Sequence, residues 1–211
     1  MAPRTTPPFR ADHVGSLLRP QKLLDARAQH AEGKIDDAEL RRAEDDAIRD
    51  VVAMQEEVGL QSATDGEFRR ASWHMDFIYA LGGISKAHDN LTVKFHNAEG
   101  DIEFTPASLH VDDRVRLEET IFGRDFEFLK SCVAMNVPKQ TIPSPSMVHY
   151  RGGKAAIDPA VYPDLDAFWA DLAAAYAEEV RRNSPSVADW SPTSRCIATT
   201  SRIASSSTAR S

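Results

Sequence analysis

Residues 40–58 carry Leu40, Ala43, Ala47, Ile48, Val51, Val52 and Val58 at three- and four-residue spacing, with Arg41, Arg42, Asp45, Asp46, Arg49 and Asp50 on the other face. That period predicts an amphipathic helix. Asp36 or Asp37 can cap its start, and Gly59 can take the left-handed conformation that ends it. Directly after it, Leu60-Gln61-Ser62-Ala63-Thr64 is short and uncharged and runs into Asp65-Gly66, the pattern of a buried strand opening into a loop. A helix that feeds a short buried strand is the signature of an α/β fold.

The same unit recurs. Residues 121–135 have a helical pattern, 137–142 read as a strand, and Pro143-Ser144-Pro145-Ser146 is the loop after it, so a parallel sheet is expected. Between the two units, residues 91–96 and 101–104 flank Asn97-Ala98-Glu99-Gly100, which predicts a β-hairpin inserted on the main scaffold. A last helix is expected over 165–182, entered through Pro163-Asp164, with Leu165, Phe168, Trp169, Leu172, Tyr176 and Val180 as its apolar stripe.

Past Arg182 the periodicity stops, and nine of the last 29 residues are serine. Two readings stand for this stretch: a disordered polar tail, or an out-of-frame translation. The expected organisation is one α/β domain over 1–182 and a serine-rich tail over 183–211.

The balance of charge excludes some functions. With 25 basic and 32 acidic side chains the formal charge is -7, and no cluster of Lys and Arg interleaves with aromatics, so a nucleic-acid surface is not expected. No apolar run approaches the roughly 20 residues a membrane helix needs, and the N-terminus lacks the apolar core of a secretory signal. No membrane partner is therefore expected, and a cytoplasmic location follows. Cys132 and Cys196 form no CxxC pair, which fits a reducing compartment.

Two segments carry candidate chemistry. Asp65-Gly66-Glu67 follows a strand, and ligands of α/β proteins bind at strand C-terminal ends. Glycine admits a close ligand and a carboxylate can hold an ammonium group, although a structural Asp-Gly turn with a solvated Glu67 fits the spacing as well. His13-Val14-Gly15-Ser16 precedes a helical stretch near Gln21, so its backbone N–H groups and the Ser16 hydroxyl could face an anion such as a carboxylate. A plain loop into a helix is the alternative. The seven histidines, at 13, 30, 74, 88, 96, 110 and 149, show no compact metal-site spacing. There is no GxGxxG, P-loop or GxSxG motif.

Taken in order, His13-Val14-Gly15-Ser16-Leu17-Leu18-Arg19-Pro20, Thr64-Asp65-Gly66-Glu67-Phe68-Arg69-Arg70 and Thr141-Ile142-Pro143-Ser144-Pro145-Ser146-Met147 resemble the cobalamin-independent methionine synthase family, its short single-barrel bacterial members above all. The likeness extends through Arg151-Gly152-Gly153 and Tyr162-Pro163-Asp164-Leu165. It implies a TIM-type (β/α)₈ barrel of the methionine synthase/uroporphyrinogen decarboxylase kind, of which this chain holds the N-terminal part. It further implies transfer of a methyl group from 5-methyltetrahydrofolate to the zinc-bound thiol of homocysteine, the zinc lowering the thiol's pKa.

By the same resemblance Val14, Gly15 and Ser16 match the loop that receives the amino-acid carboxylate, and Glu67 matches the acid that holds its ammonium group. The 143–146 loop matches a strand end lining the same cavity. The family's zinc ligands, an H-x-C pair, a later Glu and a distant Cys, have no counterpart here, since Ser194 stands two residues before Cys196. No zinc is therefore expected on this chain, and with four or five of eight strands it is expected to be inactive. Alkyl transfer to another thiol such as coenzyme M is one alternative, and a non-catalytic truncated remnant is another. A decarboxylase of the uroporphyrinogen type shares the barrel but has no support from Asp65-Gly66-Glu67-Phe68.

Overall fold

The computed structural model describes residues 13–87, 93–97, 100–104 and 108–183. Helix α1 (Gln21–Ala31) packs against α2 (Asp37–Glu57), whose start is fixed by a reciprocal pair of bonds. The Asp36 carboxylate accepts from Glu39 N at 2.8 Å, while the Glu39 carboxylate accepts from Asp36 N at 3.1 Å. Gly59 lies just beyond α2 at φ 78°, the left-handed conformation its place in the sequence predicts.

Strand β1 (Ser62–Ala63) pairs in parallel with β6 (Val137–Pro138), so the two helix-to-strand units do lie side by side. The ladder is much shorter than residues 60–64 and 137–142 lead one to expect. Beyond it the backbone continues as loop, because Thr64 turns its N–H and C=O to the side chain of Gln55 instead of to a strand.

Helix α3 (Met75–Ile78) leads into β2 (Gly82–Ala87), which pairs antiparallel with β5 (Ser108–Arg116) across a bulge at Gly83. Sequence reasoning missed this ribbon. Gly83 sits at φ 83°, where an added Cβ would meet the carbonyl oxygens of Arg114 at 2.5 Å and Asp113 at 2.6 Å, so the bulge requires glycine. The inserted hairpin is present as β3 (Val93–Asn97) and β4 (Gly100–Phe104), with its tip at 98–99 outside the described residues. Helices α4 (Gly123–Cys132), α5 (Ser146–Gly152) and α6 (Leu165–Asn183) complete the chain, joined by a 3₁₀ turn at Gly153–Ala156. Residues 184–211, and with them the expected serine-rich tail, lie outside the described residues.

The apolar side chains gather in two clusters. Leu23, Ile48, Val52, Ala63, Phe68 and Leu129 join α1, α2, β1 and α4, while Phe77, Leu109, Val111, Phe122, Phe168 and Leu172 join α3, β5 and α6. The 64–70 turn runs between them, with Phe68 buried in the first and the Arg70 guanidinium 4.2 Å from the Phe122 ring of the second. The fold is α/β, and none of its described helices is long and apolar enough to cross a membrane.

Candidate functional site

The turn after β1 is built almost wholly from buried polar groups. Thr64, Asp65, Glu67 and Arg70 are each at most 5 % exposed, which polar side chains tolerate only when their bonds are made. Gly66 has φ 67° and Glu67 has φ 59°, Glu67 being the one non-glycine at positive φ among the described residues. For a residue with a Cβ that conformation costs roughly 1–2 kcal/mol, so the surroundings must hold it.

They do so from both sides. Asp65 Oδ1 accepts from Glu67 N at 2.9 Å. Arg19 donates to the Glu67 carbonyl at 2.9 Å and to the Arg70 carbonyl at 2.8 Å, and Arg27 donates to the carbonyls of Phe68 and Arg70. Burial pushes the Asp65 carboxyl above its ordinary range, and the Glu67 N–H bond and the Arg70 charge oppose that rise. Burial likewise lowers the Arg27 guanidinium, with the neighbouring Arg19 charge adding to the effect.

Next along the turn, Arg69 carries its charge away from this site. It is held by Glu44 at 3.0 Å, Asp45 at 2.5 Å and Asp125 at 3.2 Å, and lies 4.9 Å from the Phe128 ring. That cluster welds the turn to α2 and α4 and offers nothing to a ligand.

The Glu67 carboxylate faces the loop after β6. Its Oε1 accepts from Thr141 Oγ1 at 2.7 Å and from Arg70 Nη1 at 3.2 Å, while Arg70 Nη2 donates to the Thr141 carbonyl at 2.6 Å. Oε2 makes no hydrogen bond to any described residue. Among the described residues, one oxygen is thus committed to the protein and the other is open.

The 13–16 loop closes on the same point. Thr64 Oγ1 donates to the Gly15 carbonyl at 2.7 Å, Lys139 Nζ donates to the His13 carbonyl, and Leu17 N donates to the Gly66 carbonyl at 3.1 Å. A Cβ on Gly15 would stand 2.4 Å from Thr141 Cγ2, so only glycine allows this approach. The His13 and Gly15 carbonyls are tied down, whereas the N–H groups of Val14, Gly15 and Ser16 make no hydrogen bond to described residues. Val14 is 85 % exposed, so this loop offers its backbone and the exposed Ser16 hydroxyl, not an apolar side chain.

Of the segments singled out in the sequence, the structure brings together Gly15, Glu67 and Thr141. It does not bring the 143–146 loop to Glu67 through any hydrogen bond: Ser144 and Ser146 are exposed and bond each other at 2.9 Å. Sequence reasoning assigned no role to Arg19, Arg70 or Thr141, although all three lie within the quoted motifs. A cleft of about 820 Å³ lies elsewhere, lined by Arg41, Glu118, Arg124 and Arg182 among others. Among the described residues no three His, Cys, Asp or Glu side chains converge as a metal site, so the donor set that would fit zinc is not found among them.

No protein-family model matches the chain. It is 38% identical over 188 residues to YxjG of Bacillus subtilis, an uncharacterized protein, covering 84% of this chain and 46% of that one. A methionine synthase of Sulfurisphaera tokodaii is 40% identical over 71 residues, which is 34% of this chain and 21% of the relative. Among solved structures, a Listeria monocytogenes protein provisionally assigned as a vitamin-B12-independent methionine synthase superposes with a TM-score of 0.70 at 38% identity, over 86% of this chain and 50% of that one. A B12-independent methionine synthase from Shewanella, at 21% identity and a TM-score of 0.51, bears on the fold alone.

The α/β fold and these likenesses relate the chain to proteins of the methionine synthase kind. It resembles the cobalamin-independent methionine synthases, and it spans about half the length of the YxjG and Listeria relatives it matches.

Proposed function

We propose that this chain holds the amino-acid end of the thiol substrate in a methionine-synthase-type methyl transfer. Glu67 receives the ammonium group of homocysteine, and the N–H groups of Val14, Gly15 and Ser16, with the Ser16 hydroxyl, receive its carboxylate. The methyl donor is 5-methyltetrahydrofolate in its polyglutamate form, and the whole protein is a TIM-type barrel of which residues 13–183 form the N-terminal part.

The observation that carries this reading is the pairing at Thr141, where a carboxylate with one oxygen and a loop with three N–H groups that no described residue engages meet. An α-amino acid presents an ammonium and a carboxylate on one carbon, so it needs both charges answered within a few ångströms. Buried and pre-oriented partners answer them without the reorganisation that water would require.

The share of the reaction assigned to these residues is binding and orientation. Activation of the thiol is assigned to none of them, because the family's zinc-ligand pattern has no counterpart among the described residues. The 211-residue polypeptide alone is therefore expected to bind the amino acid without transferring a methyl group.

The test is calorimetric titration of the chain with L-homocysteine and with 2-mercaptoethanesulfonate. Binding of homocysteine that weakens at least tenfold in Glu67→Gln is the expected result. Equal affinity for the sulfonate, unaltered by that substitution, would transfer the reading to the coenzyme M type of substrate. Absence of homocysteine binding would overturn it.

A further inference from the structure

The feature that the binding reading leaves unused is the guanidinium of Arg70. It is buried, it touches the binding carboxylate without occupying it fully, and it spans the two strand-end loops. From this geometry we infer that Arg70, together with Thr141, is the positioning device of the site: the two side chains saturate Glu67 Oε1 and leave Oε2 alone to the ligand's ammonium group. The inference rests on the reading of Glu67 given above and adds to it the residues that set the geometry.

The contacts form a closed circuit. Arg70 Nη1 reaches Glu67 Oε1 at 3.2 Å and the Trp73 carbonyl at 3.3 Å, Nη2 reaches the Thr141 carbonyl at 2.6 Å, and Thr141 Oγ1 returns to Glu67 Oε1 at 2.7 Å. One face of the guanidinium lies 4.2 Å from the Phe122 ring, and the N–H groups of Ile121 and Phe122 are in turn gripped by the buried carboxylate of Glu179 at 3.0–3.3 Å. A planar five-donor fork can serve three acceptors at once in this way, whereas a lysine ammonium of the same charge lacks the fixed fork. Arg70 is hence placed to fix the rotamer of Glu67, and its identity matters more than its charge.

Charge alone works against the ligand. A cation beside Oε1 weakens the pull of the carboxylate on a second cation at Oε2. What Arg70 supplies is direction: a carboxylate tied at one oxygen presents a single acceptor, which suits a primary ammonium and denies a bidentate guanidinium its second oxygen. If Arg70 were only a competing counter-ion, its removal would tighten ammonium binding. If it positions Glu67, its removal loosens binding, and only while Glu67 keeps its carboxylate.

The experiment is a double-mutant cycle on the full chain, with L-homocysteine as the probe in calorimetric titration and urea denaturation reporting that each variant folds. Arg70→Met, Arg70→Lys and Thr141→Val are each expected to weaken binding about tenfold. Arg70→Met is expected to cost less than about twofold more once Glu67→Gln is already present, because the two residues act as one unit. Thr141→Val keeps the test decisive should Arg70→Met fail to fold.

Unchanged or tighter binding in the Arg70 and Thr141 variants, full rescue by Arg70→Lys, or losses that add completely to that of Glu67→Gln would overturn the positioning role while leaving Glu67 as the binding group. A wild-type chain that binds no homocysteine, or a Glu67→Gln variant that binds it as wild type does, would remove the reading of the site, and the positioning role with it.

Discussion

Thr141 Oγ1 donates to Glu67 Oε1 at 2.7 Å across 74 residues of chain, and with the bond from Arg70 Nη2 to the Thr141 carbonyl it joins the loop after β6 to the loop after β1. The two strands themselves share only the pairs Ser62 with Val137 and Ala63 with Pro138. Side chains beyond the ladder therefore do much of the work of holding the two units in register.

Gly15 tests that bond from the other side. In Gly15→Ala the new methyl group would press on Thr141 Cγ2 from 2.4 Å, at a backbone φ of 152° that L residues rarely adopt. The expected loss is about 1–3 kcal/mol of stability, read as a lower urea midpoint, together with weaker homocysteine binding as Thr141 is pushed off Glu67. A variant with wild-type midpoint and affinity would show that the loop gives way freely.

Gln55 has a heavier structural task. Fully buried on α2, it donates to the carbonyls of Thr64 and Val51 and accepts from Thr64 N, the last at 3.0 Å. Gln55→Leu keeps the bulk but strands the N–H and C=O of Thr64 at the start of the turn, which should cost about 2–4 kcal/mol. Urea denaturation with an unchanged m-value measures it, and a loss below about 0.5 kcal/mol would contradict the assignment.

Tyr162 predicts an alkaline transition. Its hydroxyl donates to Asp171 at 2.7 Å and accepts from Val115 N at 2.7 Å, and burial followed by the Asp171 bond pushes its pKa up to about 12. A raised phenol pKa means that the fold favours the neutral form. The stabilisation is complete below the ordinary tyrosine value of about 10 and is lost as pH climbs through about 12. Stability of the wild type should therefore fall more steeply between these limits than that of Tyr162→Phe; coincident curves would refute the assignment.

Metal analysis addresses thiol activation, the part of the proposed reaction assigned to none of the residues above. The purified 211-residue chain is expected to retain well under one zinc per molecule after dialysis, by comparison with the four-ligand sites that hold zinc tightly. Stoichiometric zinc, accompanied by methyl transfer from 5-methyltetrahydrofolate, would show that residues not assigned above complete a metal site.

The parts of the fold legible in the sequence were those with a local physical cause. Helix α2 announces itself by its stripe and by Asp36 and Glu39, which sit at the right spacing to cap each other. The β2–β5 ribbon did not, because Gly82-Gly83 reads as turn punctuation and the bulge at Gly83 breaks the alternation of β5 after Val111. Ser85, Asp112, Asp113 and Arg114 add polar character to a ribbon with one wet face. The site divides in the same way. Glu67 could be placed at a strand end from its neighbours in sequence, but nothing local says that Thr141 is its partner, or that Arg19 will reach the carbonyls of Glu67 and Arg70.

The parallel pairing of β1 with β6 also sets a timetable. The hairpin β3–β4 closes over a few residues, and the capped α2 needs no distant help. Bringing Glu67 to Thr141 instead closes a loop of 74 residues, at an entropic cost of about 4 kcal/mol before any bond forms. Contacts of that reach form after local ones. During refolding the hairpin and helices should be protected from hydrogen exchange first, with the amides of 64–70 following, so that the scaffold stands before Glu67 meets Thr141.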